Sequence, residues 1–220
     1  MNQRACAREI LERLKRIYRV RGPFVVWKNP LELLIGTVLS SQCTDKRVNI
    51  VTKTLFKKYK IAKDYARAKL PVLEKEIYST GFYKTKAKYL KGIGQALQER
   101  YGGEVPNRLE ELLTLPGVAR KTANLIMAKA FGTPIGIAVD THVFRVAPRL
   151  GLTKSKTPDA MARDLEALYI PKDYLAVNEY MIMHGRAICA PRKPKCPSCV
   201  LKNICPSAKK FYPEIAIARD

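Results

Sequence analysis

The 220-residue sequence contains no run of about 18 uncharged apolar residues, so no segment of it reads as a bilayer-spanning helix. Its opening stretch, MNQRACAREILERLKRIYRV, alternates charge with apolar positions and lacks the uncharged core of a secretory signal. This predicts an intracellular, cytoplasmic protein with no membrane partner. Acidic side chains are scarce: 19 Asp and Glu stand against 41 Lys and Arg, a formal charge of +22. Heat tolerance would favour many charges and few Gln and Asn, and this chain has both features, but it does not account for an excess of one sign. A field of this size draws in polyanions, and in a folded chain it points to nucleic acid ahead of acidic membranes. Six cysteines in an intracellular chain do not read as a disulfide framework.

Strand signals are also sparse. Only 24–27 (FVVW) and 135–139 (IGIAV) are β-like, and helix signals bound both. What remains is helical periodicity. Asn29-Pro30-Leu31-Glu32 predicts a helix start, with Asn29 as N-cap, Pro30 in the first turn and Glu32 closing a box, and Leu31, Leu34, Ile35 and Val38 then share one face. Asn107 and Glu110 repeat the capping pattern ahead of Leu109, Leu112 and Leu113. After Pro116-Gly117, the residues Ala123, Ile126, Met127, Ala130 and Phe131 form a core stripe that Gly132 terminates, with Lys121 lying off it in the first turn. A further helix starts near Asp140-Thr141-His142, and Pro148 should end or kink it. The chain is predicted to be all-α.

Three features bear on chemistry. The hairpin Leu115-Pro116-Gly117-Val118-Ala119 leaves unpaired N–H groups and a positive dipole end at the start of the next helix, which suits a phosphate but also describes a plain helix–turn–helix corner. Cys189, Cys196, Cys199 and Cys205 supply four thiolates in one compact run, a soft donor set open to an iron–sulfur cluster or to zinc. Cys6 and Cys43 stand alone and read as small buried apolar residues. Lys121 is either a solvated lysine or an amine placed where an ammonium is disfavoured; Asp140 is an N-cap, a functional carboxylate or both. His142 either reaches a phosphate or caps and packs.

LPGVARKTAN at 115–124 resembles the helix-hairpin-helix motif of the endonuclease III family of DNA glycosylases. LSSQCTD at 39–45, TGFYKTKAKYL at 80–90, AVDTHVFRV at 138–146, HGRAIC at 184–189 and the four-cysteine run resemble the same family in the same order, covering most of 22–205. The resemblance implies a two-lobed all-α fold. Residues 22–133 would be a six-helix domain carrying the hairpin, and 1–21 with 134–220 a domain holding a 4Fe-4S cluster on Cys189, Cys196, Cys199 and Cys205. It implies that Lys121 attacks C1′ of a damaged nucleotide and forms a Schiff base, with Asp140 across the cleft accepting a proton or stabilising positive charge on the sugar. Gln42 would fill the space left by the displaced base, and Phe82 would wedge the opposite strand. Leu115, Gly117, Ala119, Arg120, His142 and Lys193 would contact DNA.

The implied function is that of a bifunctional glycosylase and apurinic/apyrimidinic lyase, a monomer acting on oxidised pyrimidines in damaged duplex DNA. The alternatives are a mismatch-specific thymine or uracil glycosylase, whose members in this family generally lack a lysine at the Lys121 position, and a non-catalytic cluster-bearing DNA-binding protein. The sequence departs from the family pattern at Phe82, where leucine is expected, at Ala119, where the hairpin's second glycine is expected, and at Pro148.

Overall fold

The computed structural model describes residues 2–20 and 22–215, and every regular element among them is helical. The α-helices are α1 (Gln3–Ile17), α2 (Pro30–Leu39), α3 (Asp45–Lys58), α4 (Ala62–Arg67), α5 (Leu70–Ile77), α6 (Tyr83–Arg100), α7 (Leu109–Leu112), α8 (Arg120–Ala130), α9 (Thr141–Arg149), α10 (Pro158–Glu166), α11 (Tyr174–Ala187) and α12 (Ala208–Phe211). Short 3-10 turns at Tyr78–Thr80, Pro171–Asp173 and Cys196–Ser198 complete the set. The two β-like runs pair with nothing as strands; Ile137, Ala138 and Val139 are buried in a segment without regular structure.

The chain divides into two compact units, Gly22–Thr133 and the combination of Met1–Arg21 with Pro134–Asp220. In the first, α2 packs on α3, α6 and α8, and α4 and α5 pack on α6. Its core is built from Leu34, Ile35 and Leu39 of α2, Leu73 and Ile77 of α5, Leu90, Ile93 and Leu97 of α6, and Ile126 of α8. Such burial is the main favourable term in holding the helices together. In the second unit, α11 packs on α1 and α9. Ile10 and Leu14, Val143 and Val146, Met161 and Leu165, and Val177 and Met181 meet there in a separate core.

Helix starts follow side-chain capping where the sequence supplies it. The Asn29 side chain accepts from the Glu32 N–H at 2.9 Å, while the Glu32 carboxylate accepts from the Lys28 N–H at 2.7 Å, one residue ahead of the expected closure. At α7 the reading from the sequence is corrected: Arg108, not Asn107, stands at the N-cap, and no side chain caps the turn. Pro148 lies inside α9, which ends one residue later at Arg149. A proline so near the C-terminus removes one helical donor and leaves the body of the helix intact.

Candidate DNA-lesion site

Within the Gly22–Thr133 unit, the hairpin reverses the chain at Gly117, whose φ of 74° lies in the left-handed region. A Cβ at that position would also stand 2.5 Å from the Tyr89 ring, so both conformation and space require glycine. Val118 closes the turn by donating to the Leu115 carbonyl at 3.1 Å, and the buried Leu115 and Val118 side chains anchor it. Helix α8 follows from Ala119 with no side chain capping it, so its first N–H groups remain available to an anion. Ala119 has φ −87° and ψ 169°, an extended conformation open to any residue. The absent second glycine therefore costs the turn nothing. Gly117, Ala119, Arg120 and Lys121 are all exposed, whereas Ala123, Ile126 and Met127 of the same helix are buried. Lys121 is thus directed away from the core, one residue into the positive end of α8.

Two further loops of this unit carry Gln42 and Phe82. Both are exposed, and they alone among the described non-glycine residues have positive φ, 51° and 48°. Gln42 follows the C-terminus of α2. Phe82 follows Gly81, at φ 69°, and sits immediately before α6, with 64% of its surface exposed. A bulky residue held there in the left-handed region is an outlier of the kind that clusters at binding sites. Tyr78 and Tyr83 flank it, their rings 4.7 Å apart.

In the second unit, Asp140 does cap a helix: its Oδ1 accepts from the N–H groups of His142 at 2.9 Å and Val143 at 2.8 Å. The segment leading into it is tethered by side chains that sequence reading did not single out. Glu166 accepts from the Ile137 N–H at 2.9 Å, and the buried Asn178 donates to the Ala138 carbonyl at 2.6 Å. Arg145 Nη2 lies 3.1 Å from His142 Nδ1 and donates to the Gly185 carbonyl at 3.0 Å. Because a guanidinium only donates, Nδ1 is the acceptor and His142 carries its proton on Nε2.

Cys189, Cys196, Cys199 and Cys205 are all half-buried at the C-terminal end of this unit. Arg145 and Arg149, one turn apart on α9, hold the start of their loop. Arg145 donates to the Cys189 carbonyl at 3.0 Å, and Arg149 to Cys189 Sγ at 3.3 Å and to the Ala190 carbonyl at 2.7 Å. Burial pushes the Cys199 thiol up to about 11; the Leu201 N–H counters this, and the sulfurs of Cys205, Cys196 and Cys189 raise it further. Burial likewise raises Cys196 and Cys205, so a metal centre would have to displace protons from these sulfurs to bind them as thiolates. Burial lowers His184 to about 4 and raises Tyr18 to about 12, so the ring is neutral and the phenol protonated. Tyr18 Oη lies 3.1 Å from His184 Nδ1 and donates to it, which leaves the Nε2–H facing Cys199 Sγ at 3.6 Å. Among the described residues, no three His, Cys, Asp or Glu side chains are gathered so as to hold a metal ion. Lys193 is exposed on the loop, whereas Lys202 is half-buried and donates to the Pro197 carbonyl at 3.1 Å.

The sites named from sequence therefore fall into two sets: Gln42, Phe82, the hairpin residues and Lys121 on one unit, and Asp140, His142, Lys193 and the four cysteines on the other. No described helix is long and apolar enough to cross a membrane. Residues 35–171 match the family model of the HhH-GPD superfamily base excision DNA repair proteins. Endonuclease III of Synechocystis sp. is 48% identical over 203 residues, spanning 92% of this chain and 93% of its own. The structure of a trapped endonuclease III–DNA covalent intermediate, in an estranged-adenine complex, superposes with a TM-score of 0.90 at 40% identity, over 96% of this chain and 99% of that one. A thermostable thymine-DNA glycosylase superposes with a TM-score of 0.82 at 27% identity, over 94% and 97% of the two chains. With its glycine-turned hairpin and all-helical build, the chain belongs to the endonuclease III family within the HhH-GPD superfamily of base excision DNA repair proteins.

Proposed function

We propose that the protein is a bifunctional DNA glycosylase and apurinic/apyrimidinic lyase that removes oxidised pyrimidines from duplex DNA and cuts the strand by β-elimination. The observation that carries this reading is Lys121: an exposed amine at the uncapped, positive start of α8, directly after the Gly117 turn. The turn and the first N–H groups of α8 seat a phosphate of the damaged strand, which brings the adjoining sugar to Lys121. Gln42 and Phe82 occupy the gap in the duplex once the nucleotide is turned out.

Lys121 Nζ attacks C1′ of the sugar; the C1′–N bond breaks and its electron pair leaves with the base, which takes up a proton. The nitrogen then loses one proton, the C1′–O4′ bond breaks with O4′ taking up a proton, and the protonated iminium forms between Nζ and C1′. Asp140, its Oδ1 engaged by the α9 cap, uses its carboxylate to accept a proton or to offset positive charge on the sugar. Loss of a C2′ proton from the iminium then expels the 3′ phosphate and cleaves the strand, and water releases the lysine. Cys189, Cys196, Cys199 and Cys205 would hold a 4Fe-4S cluster, which would pin their loop and so present Lys193 to the DNA backbone. The protein acts as a monomer on damaged DNA in the intracellular compartment that holds it.

Borohydride trapping tests this reading. Incubated with duplexes carrying thymine glycol or an abasic site, the protein should become covalently joined to DNA on reduction, because an imine reduces to a stable amine. Lys121→Gln should lose trapping, base release and strand cleavage while keeping most duplex binding. A Lys121→Gln protein that cross-links at the wild-type rate would overturn the assignment. The mismatch-specific alternative would release thymine from G·T duplexes without a reducible intermediate; the 27%-identical structure is named as a thymine-DNA glycosylase.

A further inference from the structure

Lys86 is charged, lies in α6 and is 3% exposed, a combination that needs explanation because lysine is almost never fully buried without partners. Its partners are two backbone carbonyls. Nζ donates to Leu39 O and to Thr80 O, each at 2.8 Å, across sequence separations of 47 and 6 residues. Leu39 is the last residue of α2 and Thr80 the last of the 3-10 turn that follows α5, so both acceptors belong to helix ends whose carbonyls lack intrahelical partners. A cation is favoured at such negative ends. Gln42 lies three residues beyond the first carbonyl and Phe82 two beyond the second. The Lys86 backbone takes part as well, its N–H donating to the Phe82 carbonyl at 3.0 Å.

We propose that Lys86 is a positioning residue for lesion recognition: its buried ammonium fixes the Gln42 and Phe82 loops in one spatial relation, so that both tips meet the opened duplex together. The inference rests on the reading of those two tips as the residues that occupy the gap. Both tips are exposed and both hold a backbone conformation that non-glycine residues disfavour, so their placement has to be imposed from beneath. The Lys86 side chain bonds to the root of each. Burial lowers its pKa and the nearby Cys43 sulfur offsets this only in part, so the two carbonyl acceptors are what the buried ammonium has in place of water. A structural reading alone would predict loss of stability with unaltered recognition in the protein that remains folded; the positioning reading predicts coupling to the tips.

The test is a mutant cycle on the cluster-loaded protein. Its corners are wild type, Lys86→Met, Gln42→Ala/Phe82→Ala, and the triple variant. Three readouts are taken: single-turnover base release from a thymine glycol duplex, fluorescence of a 2-aminopurine placed opposite the lesion, and the thermal midpoint. Lys86→Met should slow base release by about tenfold and blunt the fluorescence rise, and it should do nothing further once the two tips are alanine, because coupled sites are not additive. Lys86→Arg, which keeps donors for both carbonyls, should recover most of the loss. If Lys86→Met does not fold, Lys86→Gln takes its place, with a smaller loss of the same kind. Should Gln42→Ala/Phe82→Ala itself release base and report on the opposite base as wild type does, the reading of the tips fails. If that variant is impaired but the Lys86→Met loss multiplies with it, or is absent, the positioning role alone is overturned.

Discussion

Phe82 sets conformational cost against use at a single residue. Its φ of 48° places a bulky side chain in the left-handed region, a strain of about 1–3 kcal/mol in general, while 64% exposure means that little packing offsets it. Replacement by glycine removes the strain together with the ring; replacement by alanine removes the ring and keeps most of the strain. Phe82→Gly should therefore melt higher than Phe82→Ala, by a difference of about 1 kcal/mol in unfolding free energy, while both release damaged bases more slowly than wild type. Equal melting of the two, measured by calorimetry, would show that the left-handed backbone stores no strain. Lys86, like Glu166 and Asn178, is a residue that sequence reading left out. In TKAK it has the look of a solvated charge, and only the packing of α6 against the end of α2, far away in the chain, brings it under both tips. No local signal could have disclosed that.

At the level of the helix, legibility followed capping chemistry. Asn29 and Asp140 start α2 and α9 as their side-chain types require, and the α8 stripe is buried at Ala123, Ile126 and Met127. Asn107 failed because Arg108, one residue later, already takes the extended cap conformation. Arg145 and Arg149 share a face of α9 one turn apart, which was visible in the sequence; that they serve the Cys189 loop was not, because their acceptors, backbone carbonyls and the Cys189 sulfur, lie about forty residues away. The Asp140 cap yields a prediction that separates helix from chemistry. Asparagine caps as well as aspartate, whereas alanine loses about 1 kcal/mol of cap. Asp140→Asn should thus leave the thermal midpoint near wild type and slow base release strongly, and Asp140→Ala should do both harms. If Asp140→Asn releases damaged bases at the wild-type rate in single-turnover assays, the carboxylate is only a cap.

For the whole molecule, the charge of +22 and the four cysteines make separable contributions. Four thiolates around a core of charge 2+ sum to −2, so a 4Fe-4S cluster would bring the formal charge only to about +20. Its loss cannot work through the long-range field that gathers DNA; it has to act through the fold of the loop that Arg145 and Arg149 hold. Purified protein should accordingly be yellow-brown, with about four irons and four sulfides per chain, and Cys199→Ser should lower iron content, yield and thermal midpoint. In the folded fraction of that variant, affinity for undamaged duplex should still fall with salt at the wild-type slope, because the slope counts phosphates neutralised by Lys and Arg, and those residues are unchanged. Titration of a fluorescent duplex at several salt concentrations measures this directly. A flattened slope in folded Cys199→Ser would mean that the cluster loop itself supplies a large share of the phosphate contacts. Lys193 would then weigh more in binding than its single charge among 41 suggests.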